Sequence, residues 1–356
     1  MKKILLFILL FCLHVNAVES ALEKYALENI KDKDWIILTS GELVIGEFYN
    51  IYDDRVEFKS VRFKEQSIKF KYIKRLKTHK IVSINVENVS NFYGFLDIEE
   101  DEVIIALDDK VSVFHKSQVV SISEVGSDWS GNWKGDITLN MGFKAGNTDQ
   151  TDLGTIINIK RQDANSKVDL SYLGNFSTNN TEKTIENHRL NLDYKLYRTT
   201  RFFWKPLFGE YFKDEFSNID YSYKIGTGIG YELYDTDKLE VDISGGPGFQ
   251  ETGYVSHEAG KDSKNGTIIF SVTTDVAYEI SKDLDFDLTY TFDLLNKENG
   301  TYTHHIISQL ERDLYKDFEL VITFIWDKIE TPTKRANGST PEKDNYQLLI
   351  GLGYEF

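Results

Sequence analysis

Between residues 283 and 295 the chain reads DLDFDLTYTFDLL. Alternate positions carry Leu284, Phe286, Leu288, Tyr290, Phe292 and Leu294, and the intervening ones carry Asp285, Asp287, Thr289, Thr291 and Asp293. This period-two beat predicts a strand with one apolar and one polar face. From about Gly131 onward the beat returns in twelve segments, among them WKGDITLNMGF (133–143), VDLSYLGNF (168–176), RLNLDYKLY (189–197), KLEVDISGG (238–246) and NYQLLIGLGYEF (345–356). RFFWKPLFGEYF (201–212) and TYTHHIISQLERDLY (301–315) alternate less cleanly, so their registers stay open.

Alternation does not say which face points inward. The connectors do. Even-numbered ones are short, as in DANS (163–166), RTT (198–200) and SKD (281–283). Odd-numbered ones are equal or longer, up to ETGYVSHEAGKDSKNG (251–266) and ETPTKRANGSTPEKDN (330–345). A chain crossing a membrane twelve times from the periplasm has this rhythm, with short turns inside and polar loops outside. About eleven residues at ~3.3 Å, tilted ~40°, rise roughly 25–28 Å, the height of an outer-membrane apolar band. Closure also removes strand edges, which lipid does not tolerate. The prediction is therefore an all-β chain whose residues 129–356 form a 12-stranded antiparallel transmembrane β-barrel in outer-membrane lipid. Aliphatic faces look outward and carboxylates look into a watery lumen.

The earlier region is shorter in stride. WIILTSGELVIGEF (35–48), RVEFKS (55–60) and SIKFKYI (67–73) are followed by a similar series about 47 residues later, with Gly46 matching Gly94, Val56 matching Val103 and Ile73 matching Val119. The repeat predicts two SH3-like or Sm-like β modules, over about 34–80 and 81–124, within a periplasmic region 18–125. Each is small for independent stability, so packing together is expected.

Ahead of both lies MKKILLFILLFCLHVNA, a basic start, an apolar run and a small-residue end. It reads as a cleaved signal peptide over 1–17. The single cysteine, Cys12, falls inside it, so no disulfide, thiolate metal site or Cys nucleophile is expected in the mature chain. The net charge of −16 argues against nucleic acid, which needs a basic footprint. A local cluster, Arg62, Lys64, Lys69, Lys71, Lys74, Arg75, Lys77 and Lys80, is either a patch for an anionic periplasmic or cell-wall partner or a solvated edge.

DYSYKIGTGIGYELYDTDKLEVDISGGPGF (220–249), the preceding RFFWKPLFGEYFKDEF (201–216) and the closing GLGYEF resemble the salt-induced outer membrane protein family, over about residues 129–356. The resemblance implies an outer-membrane β-barrel of a Gram-negative bacterium. It brings no activity and no catalytic motif. The end of the chain, Leu352, Tyr354 and Phe356 on one face, matches the strand read by the barrel-assembly machinery.

The candidate chemistry is mostly charge in the lumen. Lys134, Lys144, Lys160, Lys167, Arg189 and Lys195 fall inward on the first four strands, mixed with Asp136, Asp169 and Asp193. Glu240, Asp242, Asp275, Glu279, Asp285, Asp287 and Asp293 fall inward on strands seven to nine. The two arcs either set a transverse field across an open pore or pair and close it. Gly226, Gly228, Gly230, Gly246 and Gly248 share the inward face, and Pro247 among them signals a bulge. The histidines His188, His257, His304 and His305 lack metal-ligand spacing, and His305 and Ser308 fall on opposite faces. No catalytic residue, metal or cofactor is expected. Three functions fit: a passive, cation-preferring channel for small polar solutes or ions; a non-conducting structural or stress-related envelope protein whose modules bind a partner; and an outer-membrane hydrolase.

Overall fold

The computed structural model describes residues 32–52, 55–60, 65–87, 89, 91–125, 133–144, 150–179, 182–236, 238–315 and 317–355. The proposed signal peptide and Phe356 lie outside the described residues, as do Arg62 and Lys64 of the basic cluster. The chain divides into two compact units, residues 1–126 and 127–356.

The first unit holds β1 (Asp34–Leu38), β2 (Leu43–Tyr52), β3 (Arg55–Ser60), β4 (Glu65–Lys69), β5 (Ile73–Val86), β6 (Phe92–Glu99), β7 (Glu102–Leu107), β8 (Lys110–His115) and β9 (Val119–Glu124). They form one sheet in the order β4-β3-β2-β1-β5-β6-β7-β8. β9 pairs with both β2 and β5, so β1, β2, β9 and β5 close a small ring. The unit is one sheet around one core, and the positions matched in sequence fall at like places in it. Gly46 and Gly94 each sit where a Cβ would strike a carbonyl of the next strand, Lys59 O at 2.0 Å and Ala106 O at 2.7 Å. Val56 and Val103 are both fully buried. Ile73 and Val119 each follow a short 3-10 turn, Phe70–Tyr72 and Lys116–Gln118. The boundary between the repeats, 80/81, falls inside β5. Its first half ends one repeat and its second half begins the other, with a register shift between Lys77 and Ile81. One core therefore serves both, including Ile36, Phe58 and Leu76 from the first and Ile84, Leu96, Val103 and Ile122 from the second.

The second unit holds β10 (Trp133–Lys144), β11 (Gln150–Gln162), β12 (Ser166–Asn179), β13 (Glu182–Tyr197), β14 (Phe202–Asp214), β15 (Ile219–Asp235), β16 (Leu239–Tyr254), β17 (Lys264–Ser281), β18 (Leu284–Leu294), β19 (Tyr302–Tyr315), β20 (Phe318–Ile329) and β21 (Asp344–Glu355). Each pairs antiparallel with the next, and β21 returns to β10, so the twelve strands close a barrel. Short turns are fixed by Asp and Thr side chains, which mimic a backbone turn. Asp163 Oδ1 accepts from the Asn165 and Ser166 amides, each at 2.9 Å, and Thr199 Oγ1 accepts from the Phe202 amide at 2.8 Å. At the other end the connectors are long. The 330–343 loop is latched to the 215–218 turn by Arg335 Nη2 to Phe216 O (2.6 Å) and Asn218 Nδ2 to Thr333 O (3.2 Å).

Burial settles the orientation of the faces. Large apolar side chains stand exposed on the outer wall, among them Met141, Ile229, Ile268, Leu348, Ile350 and Leu352. Polar ones are hidden inside, among them Thr138, Asn140, Arg189, Lys205, Lys224 and Thr323. On β18, Asp285 and Asp287 line an internal cavity, so the even-numbered residues from Leu284 to Leu294 face out. Among the described residues no helix is long and apolar enough to cross a membrane. An apolar outer wall on strands that pair around the whole ring is what hydrocarbon requires of a spanning sheet.

Candidate functional site: the charged lumen

The lumen has a wide end, a constricted middle and a narrow end. At the short-turn end a cavity of about 670 Å³ opens into the barrel. Asp136, Asp169, Asp193, Asp285, Asp287, Glu311, Asp313 and Glu319 line it, with Lys134 and Lys160 as the basic side chains among the lining residues. Lys205 and Lys167 pair with Asp193 and Asp169 from beside the lining, and the remaining carboxylates outnumber the two lysines, so the vestibule carries an acidic excess.

The middle is a packed plug. On β14 the register shifts between Lys205 and Phe208, beside Pro206, which has no amide to give the ladder. The extra residue keeps Phe203, Lys205, Phe208 and Glu210 all on the inner side. The expected bulge at Pro247 is therefore corrected: β16 and β17 keep one register through Pro247, and the bulge lies across the seam at Pro206. The glycine patch makes room for these rings. A Cβ on Gly226 would come within 2.2 Å of the Phe208 ring, and one on Gly230 within 2.1 Å of the Phe203 ring. Lys195 Nζ lies 4.9 Å from the Phe203 centroid and Lys205 Nζ lies 2.7 Å from Asp193 Oδ1. A second apolar group, Ile156, Leu173 and Ile325 with Ile307 and Leu349, fills the opposite side.

Above the plug a belt of ion pairs crosses the lumen. Arg189 on β13 reaches Glu210 on the adjacent β14 (2.5 Å) and Asp327 on β20, far around the ring (2.6 Å). Lys224 on β15 reaches Asp293 on β18 (2.8 Å) and Glu210 (3.6 Å). His305 Nδ1 lies 2.8 Å from Asp327 Oδ1, and the Arg189 guanidinium stacks on Phe212 at 4.1 Å. Beyond the belt, toward the long loops, a smaller cavity of about 70 Å³ remains.

The sequence-predicted residues divide among these layers. Lys134, Lys160, Asp285 and Asp287 meet in the vestibule. Asp293 does not join them: it pairs with Lys224 in the belt. Arg189 is a belt residue, and Lys195 faces Asp242 at 3.6 Å. Asp275 accepts from Thr289 Oγ1 at 2.8 Å, and Lys167 lies 3.4 Å from Asp169. Glu240 and Glu279 are half-buried near the short-turn rim, opposite Ala277 and Asp285 in register. Lys144 lies at the far end of β10, paired in register with Gln150. Lys205, Lys224, Glu210, Asp327 and the inward phenylalanines escaped the sequence reading. Asp327 could have been found, since it continues the inward face of FELVITFIW.

Of the four candidate histidines, His188 and His304 meet tyrosines, His305 meets an acid and His257 lies 3.2 Å from the Glu258 carbonyl. His188 Nδ1 meets Tyr172 Oη at 2.9 Å and His304 Nδ1 meets Tyr290 Oη at 2.7 Å, both on the outer wall. Among the described residues no group of three or more His, Cys, Asp or Glu is placed to hold a metal. In the first unit the basic cluster is partly matched: Arg75 lies 3.8 Å from Glu99, Lys77 3.3 Å from Asp97 and Lys80 2.6 Å from Glu124.

A closed twelve-stranded barrel, greasy outside and charged inside, defines a β-barrel membrane protein of the outer-membrane type. The model of the family described as "Protein of unknown function, DUF481" matches residues 137–356, and the chain belongs to that family. No curated protein matches the chain. Similar solved structures include the NanC porin, at 12% identity and TM-score 0.38, covering 63% of this chain and 100% of that one. Another is the translocator domain of the autotransporter NalP from Neisseria meningitidis, at 10% identity and TM-score 0.36, covering 63% and 87%. An outer membrane channel from Pseudomonas putida F1 is similar at 12% identity and TM-score 0.33, covering 63% and 95%.

Proposed function

We propose that this protein is an outer-membrane channel for small cations or small cationic solutes, held narrow by the plug and belt. Its short-turn end and first unit face the periplasm, as the even, tight turns suggest. The observation that carries this reading is the sign of the vestibule, eight carboxylates to two lysines around about 670 Å³. Charge of one sign in a low-dielectric cleft concentrates counter-ions and excludes co-ions. Purified protein in a planar bilayer under a potassium chloride gradient should carry a small, steady current with a cation-side reversal potential. Replacing Asp285 and Asp287 with Asn should move that potential toward zero. An anion-side potential for the unaltered protein refutes the reading.

The belt favours a second reading, a barrel that does not conduct and serves the envelope through partners of its first unit. Ion pairs that bridge non-adjacent strands close a lumen as well as narrow it. Silence of the unaltered protein, with current appearing once Asp327 and Asp293 are replaced by Asn, selects this reading. The hydrolase alternative predicts release of fatty acid or peptide by the purified protein.

A further inference from the structure

The closing seam is where the barrel wall is incomplete. β10 and β21 pair at five positions, from Asp136↔Glu355 to Asn140↔Gly351. Every other pair of neighbouring barrel strands matches ten or more residues. Continuing the register would set Met141 against Ile350 and Gly142 against Leu349, and among the described residues these pairs do not form. The open stretch lies among exposed apolar side chains of the outer wall. Tyr346, Leu348 and Ile350 are 65%, 67% and 56% exposed on the outer wall at that height, inside the apolar band. Unpaired strand edges facing hydrocarbon are unfavourable unless something else meets them.

A cavity of about 250 Å³ occupies the gap. For scale, an apolar cavity of about 150 Å³ accepts benzene. Its outer lining is apolar, with Met141, Leu153 and Leu348, and its inner lining is amide, with Asn140, Asn175 and Gln347. Asn140 is 3% exposed, and neither its Oδ1 nor its Nδ2 has a hydrogen-bond partner. Asn175 Oδ1 is buried without one too, while its Nδ2 donates to Asn187 Oδ1 (3.1 Å) and Gln347 Oε1 (2.7 Å). Space for Asn140 has been cleared on both sides. A Cβ on Gly351 would lie within 2.4 Å of its Oδ1, and one on Gly154 within 3.2 Å of its Cβ. Buried amides without partners are rare and costly, so an amide seated in a glycine slot and left open toward a cavity calls for a ligand.

The geometry points to a lateral binding site for a single-chain amphiphile. An uncharged, hydroxyl-bearing head group enters the gap and exchanges hydrogen bonds with Asn140 and Asn175, since an amide both donates and accepts. Asp152, also in the lining, disfavours an anionic head. The chain lies along Leu348 and Ile350 in the bilayer. The size of the gap suits one chain rather than a two-chain lipid. This inference does not depend on conduction, because the seam opens to the side, away from the axis of the lumen.

The test uses the full-length protein in phosphatidylcholine nanodiscs with a monoacylglycerol carrying a photoreactive diazirine close to its head group. Labelling, mapped by mass spectrometry, should concentrate on residues 139–141 and 346–350. It should fall at least tenfold in Asn140→Leu. It should also fall in an oxidised Met141→Cys, Ile350→Cys pair, and recover on reduction. Should Asn140→Leu fail to fold, the oxidised and reduced states of the cysteine pair decide from one preparation. Labelling spread evenly around the wall, or undiminished by the lock, overturns the proposal. Equal seam labelling by a two-chain diazirine phosphatidylethanolamine overturns it as well, because that is ordinary bilayer lipid.

Discussion

The two units obey one alternation rule with opposite signs. In the first, the inward positions are oil: Ile36, Val56, Phe58, Leu76, Ile84 and Ile98 are fully buried. In the second, many inward positions are polar: Thr323 is 0%, Asn140 3%, Lys205 4% and Arg189 6% exposed. Period-two patterning therefore says that a strand has two unlike faces and leaves open which face is inside. What decides is the surroundings. A small sheet in water must hide its oil to fold at all. A ring of twelve strands encloses more space than aliphatic side chains fill, and lipid rewards oil on the outer wall.

The sharpest way to break this contrast is to remove volume from the apolar core of the first unit. Phe58→Ala in the first unit should cost roughly 3–5 kcal/mol, the transfer term plus a cavity. Hydrogen exchange in residues 55–60 and 73–86 should accelerate while the barrel strands stay protected. Unchanged protection of residues 55–60 and 73–86 in the variant would mean that Phe58 does not anchor the shared core. Next in size is a pair of adjacent positions on β15 that should fail for opposite reasons. Lys224→Ala leaves Glu210 and Asp293 short of a partner inside, at about 3 kcal/mol, because a buried charge stripped of its mate is costly. Ile225→Arg sets a charge against acyl chains, at roughly 2–4 kcal/mol near mid-bilayer. Urea unfolding from lipid vesicles measures both. In detergent with a hydrated surface the Ile225 penalty should shrink and the Lys224 penalty should not. The reverse pattern would invert the assignment of the two faces.

Much of this was legible. Twelve alternating runs and the parity of their connectors gave the barrel and its inside, and matched pairs such as Val56 and Val103 gave buried positions of the small sheet. Three things were not. The β14 face depends on one residue of slippage beside Pro206, and a single shift exchanges the faces of everything beyond it. That hid Phe208, Glu210 and the reason for the glycines. Belt pairing depends on which strands stand across the ring, so Arg189 could be placed inward without naming Asp327 as its mate. The seam is invisible because pattern gives the face of Asn140 and not whether β21 stays beside it.

The smallest expected effect lies on the basic strip of β5. Lys80 Nζ lies 2.6 Å from Glu124 Oε1, but its side chain is 44% exposed, so water and salt screen the pair. The Glu124 carboxylate, accepting from the Lys80 ammonium, holds it above its ordinary pKa, against a smaller desolvation effect. A group whose pKa is raised by folding contributes fully below its unfolded value and loses that contribution as pH climbs through the folded one. Lys80→Ala should therefore cost only about 0.5 kcal/mol at neutral pH, as exposed pairs do. The gap between variant and parent should close above about pH 10.4 and in molar salt. Urea midpoints of the first unit, followed by hydrogen exchange in residues 73–86 and 119–124, measure it. A loss several times larger, or one that persists in alkali and salt, would show that the Lys80 stem packs on the sheet and that the strip is structural rather than electrostatic.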